Sequence, residues 1–288
     1  RSVGTPFARR HADDAQSLCF ETEPLADALE IAGDAALDLE LSVDRPVAQV
    51  AARLVDLHPD GAATRVAYGV LNLTHRDGHD EPEPLKSGER YRVRVSFKPV
   101  AQRFEAGHRI RLALSTSYFP MIWPAPEPVT MTLHTAGSTL ELPVRTPSAA
   151  DDRLPPFGEP EGAPGLNLER LAEPDEHWRI VDDIAAERIE LQVGDGEGTF
   201  RIADWDLTVS NQGHERYSVE SDDLGSVTGS VRWEHAMSRD GWQIRTETET
   251  VLRADPQSYV IEARLKAWHG DELAHEQVWS ERIPRRMA

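Results

Sequence analysis

The segment Tyr91-Arg-Val-Arg-Val-Ser-Phe97 alternates apolar and polar side chains without interruption. Because successive side chains of a β-strand point to opposite faces, its four apolar residues would share one buried face. The alternation recurs over 37–43, 110–114 and 139–144, with turn signals between the segments at Asp60-Gly61, Asp77-Gly78, Ser87-Gly88 and Ala106-Gly107. Almost no helical periodicity accompanies these strands. The first half is therefore predicted to be an antiparallel β-sandwich or jelly roll.

The second half also reads as antiparallel β-structure, with longer strands. Candidate strands cover 187–193, 199–209, 215–221, 226–235, 241–253, 257–268 and 272–283. Turn signals separate them at Asp195-Gly196, Gln212-Gly213, Asp240-Gly241, Asp255-Pro256 and Gly270-Asp271. Strands of about ten residues exceed the usual length of 5–6 and favour a strongly curved sheet. We therefore predict an all-β chain whose second part is another β-sandwich or a barrel, a lipocalin-like meander.

A change in composition marks the boundary between the halves. Residues 147–174 contain six prolines and three glycines, which predicts a Pro-rich linker between a domain at 1–146 and another at 175–288. Residues 1–150 carry 16 basic and 20 acidic side chains, whereas 151–288 carry 15 and 30. Six of the seven tryptophans also follow residue 150. These differences indicate two domains with unlike surfaces.

Charge and composition exclude several classes of function. The formal charge of −19 would repel phosphates, so we expect no nucleic-acid partner. No stretch approaches the roughly 18 uninterrupted apolar residues of a membrane helix, so we expect no membrane partner. The single cysteine, Cys19, excludes an internal disulfide framework. The chain begins at Arg1 without a signal-peptide pattern, so we expect a missing N-terminal part and a cytoplasmic location.

The sequence contains no pattern that would supply hydrolytic chemistry. Gly-x-Ser-x-Gly is absent, and Gly225-Ser226 and Gly229-Ser230 lie in strand-like runs. The strongest metal candidate is His75-Arg-Asp-Gly-His79-Asp80, whose two imidazoles and two carboxylates fall within six residues. No second ligand cluster completes the set, so a solvated turn at Asp77-Gly78 is the favoured interpretation. We predict no catalytic residue, no metal and no cofactor.

Aromatic residues offer two further candidates. The segment 115–128 holds Tyr118, Phe119 and Trp123 among four prolines, which would hold the rings out at low entropic cost. It could form a contact surface or a wall of a substrate pocket, or fold back to cap its own sandwich. Tryptophans in the second half could form a ligand platform. Core packing is the default for four of them in alternating runs: Trp205, Trp233, Trp242 and Trp279.

Several ordered segments resemble the C-terminal domain of the cocaine esterase and X-prolyl dipeptidyl-peptidase (CocE/NonD) serine hydrolases. They are Ser17-Leu-Cys-Phe-Glu-Thr-Glu-Pro-Leu-Ala-Asp-Ala-Leu-Glu-Ile-Ala-Gly33, Ala52-Arg-Leu-Val-Asp-Leu-His-Pro-Asp-Gly61, Gly69-Val-Leu-Asn-Leu-Thr-His-Arg76, Glu83-Pro-Leu85, Phe104-Glu-Ala-Gly-His-Arg-Ile-Arg-Leu112 and 115–128. The resemblance implies a galactose-binding-like jelly-roll β-sandwich that packs on an N-terminal α/β-hydrolase domain carrying a Ser–Asp–His triad. That domain would be the partner, and this chain alone would be inactive.

Two functions follow as hypotheses. The first is an accessory region of a serine hydrolase acting on esters or amides, X-Pro peptides among them. It would dock on the catalytic domain and shape its active site through Tyr118, Phe119 and Trp123. The alternative is a free-standing module that binds carbohydrate or a small apolar ligand. Whether the protein forms a homo-oligomer stays open, as do the substrate and the ligand of the second domain.

Overall fold

The computed structural model describes residues 17–221 and 223–288. The chain divides into two compact units. The first comprises residues 1–157 with Met287 and Ala288, and the second comprises Gly158–Arg286. Each unit is built from antiparallel β-strands, which confirms the predicted all-β class.

The described residues of the first unit, from Ser17 onward, form ten strands. They are β1 (Leu18–Glu21), β2 (Leu29–Gly33), β3 (Ala36–Val43), β4 (Gln49–Leu57), β5 (Ala63–Asn72), β6 (Tyr91–Ser96), β7 (Val100–Phe104), β8 (Arg109–Ser115), β9 (Met131–Leu133) and β10 (Thr139–Glu141). One sheet has the order β1-β8-β4-β5, and the other has the order β10-β3-β6 with β9 also paired to β3. Strands β2 and β7 form a separate pair. The turn glycines 61, 78, 88 and 107 all have positive φ, as the turn signals predicted.

The core of this unit lies between the two sheets. Strand β3 alternates as predicted, with Leu37, Leu39 and Leu41 buried on one face. On the other face of the same sheet, Arg94 of β6 bridges Asp38 at 2.5 Å and Glu141 at 2.6 Å. The pKa of Arg94 is raised by its hydrogen bonds to these two carboxylates. The pattern of the sequence therefore separates an apolar interior from a charged exterior.

The predicted strand 139–144 is shorter in the structure, where β10 ends at Glu141. Pro143 has no backbone N–H, so it cannot continue a hydrogen-bonded ladder. Its carbonyl instead accepts a hydrogen bond from the backbone N–H of Ala32, and Val144 forms a bridge with Ile31. At Pro143 the segment therefore stops pairing with β3 and begins to pair with β2.

The second unit is a single meander sheet of eight strands. They are β11 (Leu168–Ala172), β12 (His177–Asp183), β13 (Arg188–Ile202), β14 (Leu207–Glu220), β15 (Asp223–Arg239), β16 (Trp242–Ala254), β17 (Ser258–His269) and β18 (Glu272–Pro284). The order is β11-β13-β14-β15-β16-β17-β18, with β12 also paired to β13. Within the described residues, β18 does not pair with β11 or β12, so hydrogen bonds do not close this sheet. Strand β11 begins inside the segment predicted as linker.

Two of the predicted turns in this unit are wrong. Asp195-Gly196 is a bulge inside β13, because Gly196 and Gly198 adopt positive φ and shift the register against β14. Gly213 lies in the middle of β14, directly opposite Trp233 on β15. A side chain at Gly213 would clash, since its Cβ would lie 2.5 Å from the indole Cζ2 of Trp233. Glycine is therefore needed at position 213 because the Trp233 ring lies against the backbone, and not because the chain turns there.

The predicted core packing of the second-half tryptophans is also wrong. Trp205, Trp242 and Trp279 are exposed, and Trp233 is half-buried with its ring stacked on His235. Trp205 lies in the 3₁₀ turn between β13 and β14 and not in a strand. The other three tryptophans lie in β15, β16 and β18, where polar and apolar residues do alternate. A single sheet has no second layer of its own to cover the apolar face, so alternation here does not produce burial.

Gly69 provides a test of how the two sheets of the first unit meet. An alanine Cβ at this position would lie 2.5 Å from the backbone oxygen of Ser96, on the facing strand β6. We expect Gly69→Ala to lower the free energy of unfolding by about 1–3 kcal/mol, because backbone atoms cannot move aside cheaply. Urea unfolding followed by far-UV circular dichroism measures this change.

Gly162→Ala is the matched control, since no atom lies within 4 Å of the added Cβ and the glycine has no positive φ. We expect this substitution to change the free energy of unfolding by less than about 0.5 kcal/mol. Equal effects of the two substitutions would contradict the close approach of β5 and β6.

Candidate functional site

The aromatic segment predicted as a contact surface follows β8 and is anchored at its start by Tyr118. This side chain is only 7% exposed. Arg65 donates a hydrogen bond to the Tyr118 hydroxyl, and the guanidinium carbon of Arg53 lies 5.0 Å from the centre of the ring. The ring of Tyr68 meets it edge-on at 6.1 Å. Cation–π and edge-to-face contacts of this kind fix one orientation of the ring.

The next residues form a short turn with an apolar tip. The backbone N–H of Ile122 donates to the carbonyl of Tyr118 at 3.1 Å, which closes the turn. The rings of Phe119 and Trp123 pack edge to face with centroids 5.7 Å apart. The side-chain amide of Gln49 donates to the carbonyl of Trp123 at 3.1 Å. Met121 lies between these anchors and is 48% exposed.

The segment is held at its far end by an aspartate. The backbone N–H of Thr130 donates to the Asp44 carboxylate at 2.8 Å. This hydrogen bond lowers the pKa of Asp44, because it favours the charged carboxylate. The anchor is therefore fully present above the ordinary pKa of an aspartate, about 3.9, and weakens as the pH falls below it.

The three predicted site residues thus separate into two roles. Tyr118 points into its own sandwich, which is the capping arrangement considered above as the alternative. Phe119 and Trp123 are half-buried and lie on either side of the exposed Met121. We define Phe119, Met121, Ile122 and Trp123 as the aromatic tip. The role of the tip as a contact surface stays a prediction.

The predicted metal candidate is only partly assembled. His75 and His79 do come together, with their Nδ1 atoms 3.1 Å apart, and both lie on the surface. Gly78 donates its backbone N–H to the carbonyl of His75, so the segment forms a turn, as the favoured interpretation held. Across residues 17–221 and 223–288, no third ligand atom joins this histidine pair closely enough to hold a metal.

A different group of metal-ligating side chains lies where β4 ends and β8 begins. This is the other end of the two strands from the aromatic segment. Asp56, His58 and His108 each present one ligand atom, and these atoms all lie within 4.8 Å of one another. Sequence analysis missed this group because 52 residues separate Asp56 from His108. In the structure His58 directly follows β4 and His108 directly precedes β8, and the antiparallel pairing of these two strands brings the histidines together. No strand over 49–57 was predicted from the sequence, so this proximity could not be anticipated.

The comparisons with known proteins match part of this chain. The family model for the X-Pro dipeptidyl-peptidase C-terminal non-catalytic domain matches residues 5–151. Cocaine esterase of Rhodococcus sp. (strain MB1 Bresler) is 33% identical over 103 residues, covering 36% of this chain and 18% of the esterase. An alpha-amino acid ester hydrolase structure shares 23% identity over 48% of this chain and 27% of its own, with a TM-score of 0.45. A CocE/NonD family hydrolase from Staphylococcus aureus shares 17% identity over 48% of this chain and 32% of its own, with a TM-score of 0.40.

The family match identifies residues 5–151 as a non-catalytic domain of the kind found in peptidases and related hydrolases. The chain belongs to the family of X-Pro dipeptidyl-peptidase C-terminal non-catalytic domains, which is the C-terminal domain of CocE/NonD-type hydrolases. This confirms the resemblance drawn from the sequence. The chain spans only about a fifth to a third of the length of the relatives compared. None of the helices in the described part of the chain is long and apolar enough to cross a membrane.

The anchoring role of Tyr118 can be tested by removing its hydroxyl and its ring separately. Tyr118→Phe loses the hydrogen bond with Arg65, and we expect the free energy of unfolding to fall by about 1–3 kcal/mol, because the donor is charged. Tyr118→Leu also loses the contacts with Arg53 and Tyr68, and we expect a larger loss. Thermal and urea unfolding measure both. Two variants as stable as the original chain would show that this residue is no anchor.

Proposed function

We propose that the first unit docks on an α/β-hydrolase catalytic domain and that the aromatic tip forms part of this contact, at the wall of the substrate pocket. The catalytic domain would supply the serine, aspartate and histidine for cleavage of esters or amides, X-Pro peptides among them. Membership of a non-catalytic domain family supports this role, since such a domain acts through a catalytic partner.

The observation that carries the proposal is the construction of the aromatic tip. Its backbone is hydrogen-bonded at Ile122 and Trp123, while the Tyr118 side chain at its base is buried. Met121 nevertheless remains exposed beside two aromatic rings. Large apolar side chains on a rigid base lose little entropy on association, and aromatic residues and methionine are enriched in protein interfaces. The tip therefore has the properties of a preformed contact.

Binding of a small apolar ligand is the second candidate, and a cavity in the first unit favours it. The cavity has a volume of about 380 Å³ and opens between the edges of the two sheets. Its lining is mainly aliphatic and includes Leu37, Leu39, Leu112, Leu114, Leu133, Leu140 and Leu142. Carbohydrate sites need aromatic platforms and hydrogen-bonding groups, so this lining favours an apolar ligand over a sugar.

The docking proposal is tested in a polypeptide that joins this chain to its α/β-hydrolase domain. We expect Trp123→Ala to raise KM for p-nitrophenyl esters or X-Pro p-nitroanilides roughly five- to thirtyfold, the effect of losing an interface contact worth about 1–2 kcal/mol. Steady-state kinetics measure KM and kcat, and thermal unfolding measures stability in the same samples.

Trp205→Ala is the matched control, because this tryptophan is 53% exposed and belongs to the second unit. We expect its kinetics to equal those of the original protein. If Trp123→Ala leaves KM, kcat and stability unchanged, the proposed role of the tip fails. A loss of stability with unchanged kinetics would mean that the tip only caps its own sandwich. Micromolar binding of an apolar ligand by the chain alone would favour the second candidate.

A further inference from the structure

The carboxylate of Asp56 lies against the imidazole rings of His58 and His108, at one end of the first unit. Asp56 is only 4% exposed, and its Oδ1 lies 2.8 Å from Nδ1 of His108. Its Oδ2 lies 3.8 Å from Nε2 of His58. The two imidazole rings face each other at 4.4 Å with an interplanar angle of 33°. Two imidazole nitrogens and one buried carboxylate oxygen therefore lie within 4.8 Å of one another.

The sheet itself brings these residues together. Strands β4 and β8 are antiparallel, and Asp56 pairs with Ile110 while Leu57 pairs with Arg109. His58 and His108 occupy the next position beyond the last pair, so their Cα atoms lie side by side. A register shift of one residue would turn these side chains to opposite faces. The same pairing that buries the core thus assembles the three ligands.

Backbone hydrogen bonds hold both histidines in place. The N–H of His58 donates to the carbonyl of Ala62 at 2.8 Å, across the turn that joins β4 to β5. The N–H of His108 donates to the carbonyl of Glu105, and its own carbonyl accepts from the N–H of Leu25 at 2.8 Å. Because the turns are fixed in this way, the cost of organising the side chains around a ligand is reduced.

We infer that Asp56, His58 and His108 bind a divalent transition-metal ion, and that Zn²⁺ is the ion that fits this ligand set. Zinc takes imidazole nitrogens at about 2.0–2.1 Å and carboxylate oxygens at about 2.0–2.2 Å in a tetrahedron, which places neighbouring ligand atoms about 3.3 Å apart. In the structure, without an ion, one ligand atom from each of the three residues lies within 4.8 Å of the other two, so small side-chain movements bring them to this spacing. Calcium and magnesium prefer oxygen ligands throughout, so two imidazoles argue against them.

The surroundings of the three ligands match those of a metal centre. The side-chain amide of Gln102 lies 3.4 Å from Oδ2 of Asp56 and donates to it, as an outer residue that orients a ligating carboxylate would. Zinc bound by Nδ1 of His108 and the Asp56 carboxylate would replace the hydrogen bond between them and release its proton to solvent. The side chain of His58 is 36% exposed, which leaves access for the ion and for a water molecule as fourth ligand.

Zinc at this position would join two turns that are distant in the sequence. One turn connects β4 to β5 and the other connects β7 to β8. A ligand that binds only the folded state raises its stability in proportion to the logarithm of ligand concentration over Kd. The inferred role of the ion is therefore to tie these two turns together, and it does not depend on the docking role of the aromatic tip.

Zinc titration of the chelator-treated full chain tests the inference. We expect isothermal calorimetry to give one ion per chain with a micromolar or lower Kd. We also expect a melting temperature higher by about 3 °C or more when zinc exceeds Kd a hundredfold. His58→Ala is the main variant, because its partial exposure makes it the ligand whose loss disturbs folding least. We expect this substitution to weaken zinc binding at least tenfold, and Asp56→Asn to abolish it.

His79→Ala is the matched control, since His79 belongs to the surface pair with His75 and lies outside the inferred centre. We expect zinc affinity to stay unchanged in this variant. Substitution with Co²⁺ gives a second measurement, the visible absorption of a tetrahedral site, which His58→Ala should remove. The inference is overturned if the chain shows no saturable binding up to about 100 μM zinc. It is equally overturned if His58→Ala binds zinc normally or if His79→Ala is the variant that loses binding.

Discussion

Burial of leucine side chains between two antiparallel sheets is the constraint on which the first unit depends. Leu39 and Leu41 of β3 are essentially inaccessible to solvent, and each buried side chain of this size contributes about 1.5–3 kcal/mol. The contribution is obtained only in one register, because a slip of one residue exposes every leucine and buries the charged face. The same register places the polar side chains of β3 on the opposite face, where Asp38 forms a salt bridge with Arg94.

The register of β4 against β8 also fixes the positions of both candidate sites, the aromatic tip and the ligand group. Ala51 pairs with Ser115 at one end of the strand pair, where the chain enters the segment with the aromatic tip. Leu57 pairs with Arg109 at the other end, beside the ligand group of Asp56, His58 and His108. Six residues of extended chain span about 20 Å. The two sites therefore lie at opposite ends of the paired strands β4 and β8. A partner at the aromatic tip and an ion at the ligand group would not touch each other.

The two units differ in how they use the same sequence pattern. In the first, a second sheet covers the apolar face, and the result is a core. In the second, one meander of long strands leaves tryptophans such as Trp242 and Trp279 exposed. Alternation reports which side chains share a face, but it carries no information about whether another layer covers that face. Gly213 shows the same limit, because its role beneath the Trp233 ring depends on a neighbouring strand.

The sequence by itself determined the β class, the strands β3, β6 and β8, the hairpin meander from β15 to β18, the absence of Gly-x-Ser-x-Gly, and the membership of a non-catalytic domain family. These depend on side chains that are adjacent in the chain, or on ordered local segments such as Phe104-Glu-Ala-Gly-His108. Only the tertiary structure decided that Tyr118 turns inward and Met121 outward, and that Asp56 meets His108 across 52 residues. Such contacts arise from strand pairing and sheet packing, which join residues that no local period connects.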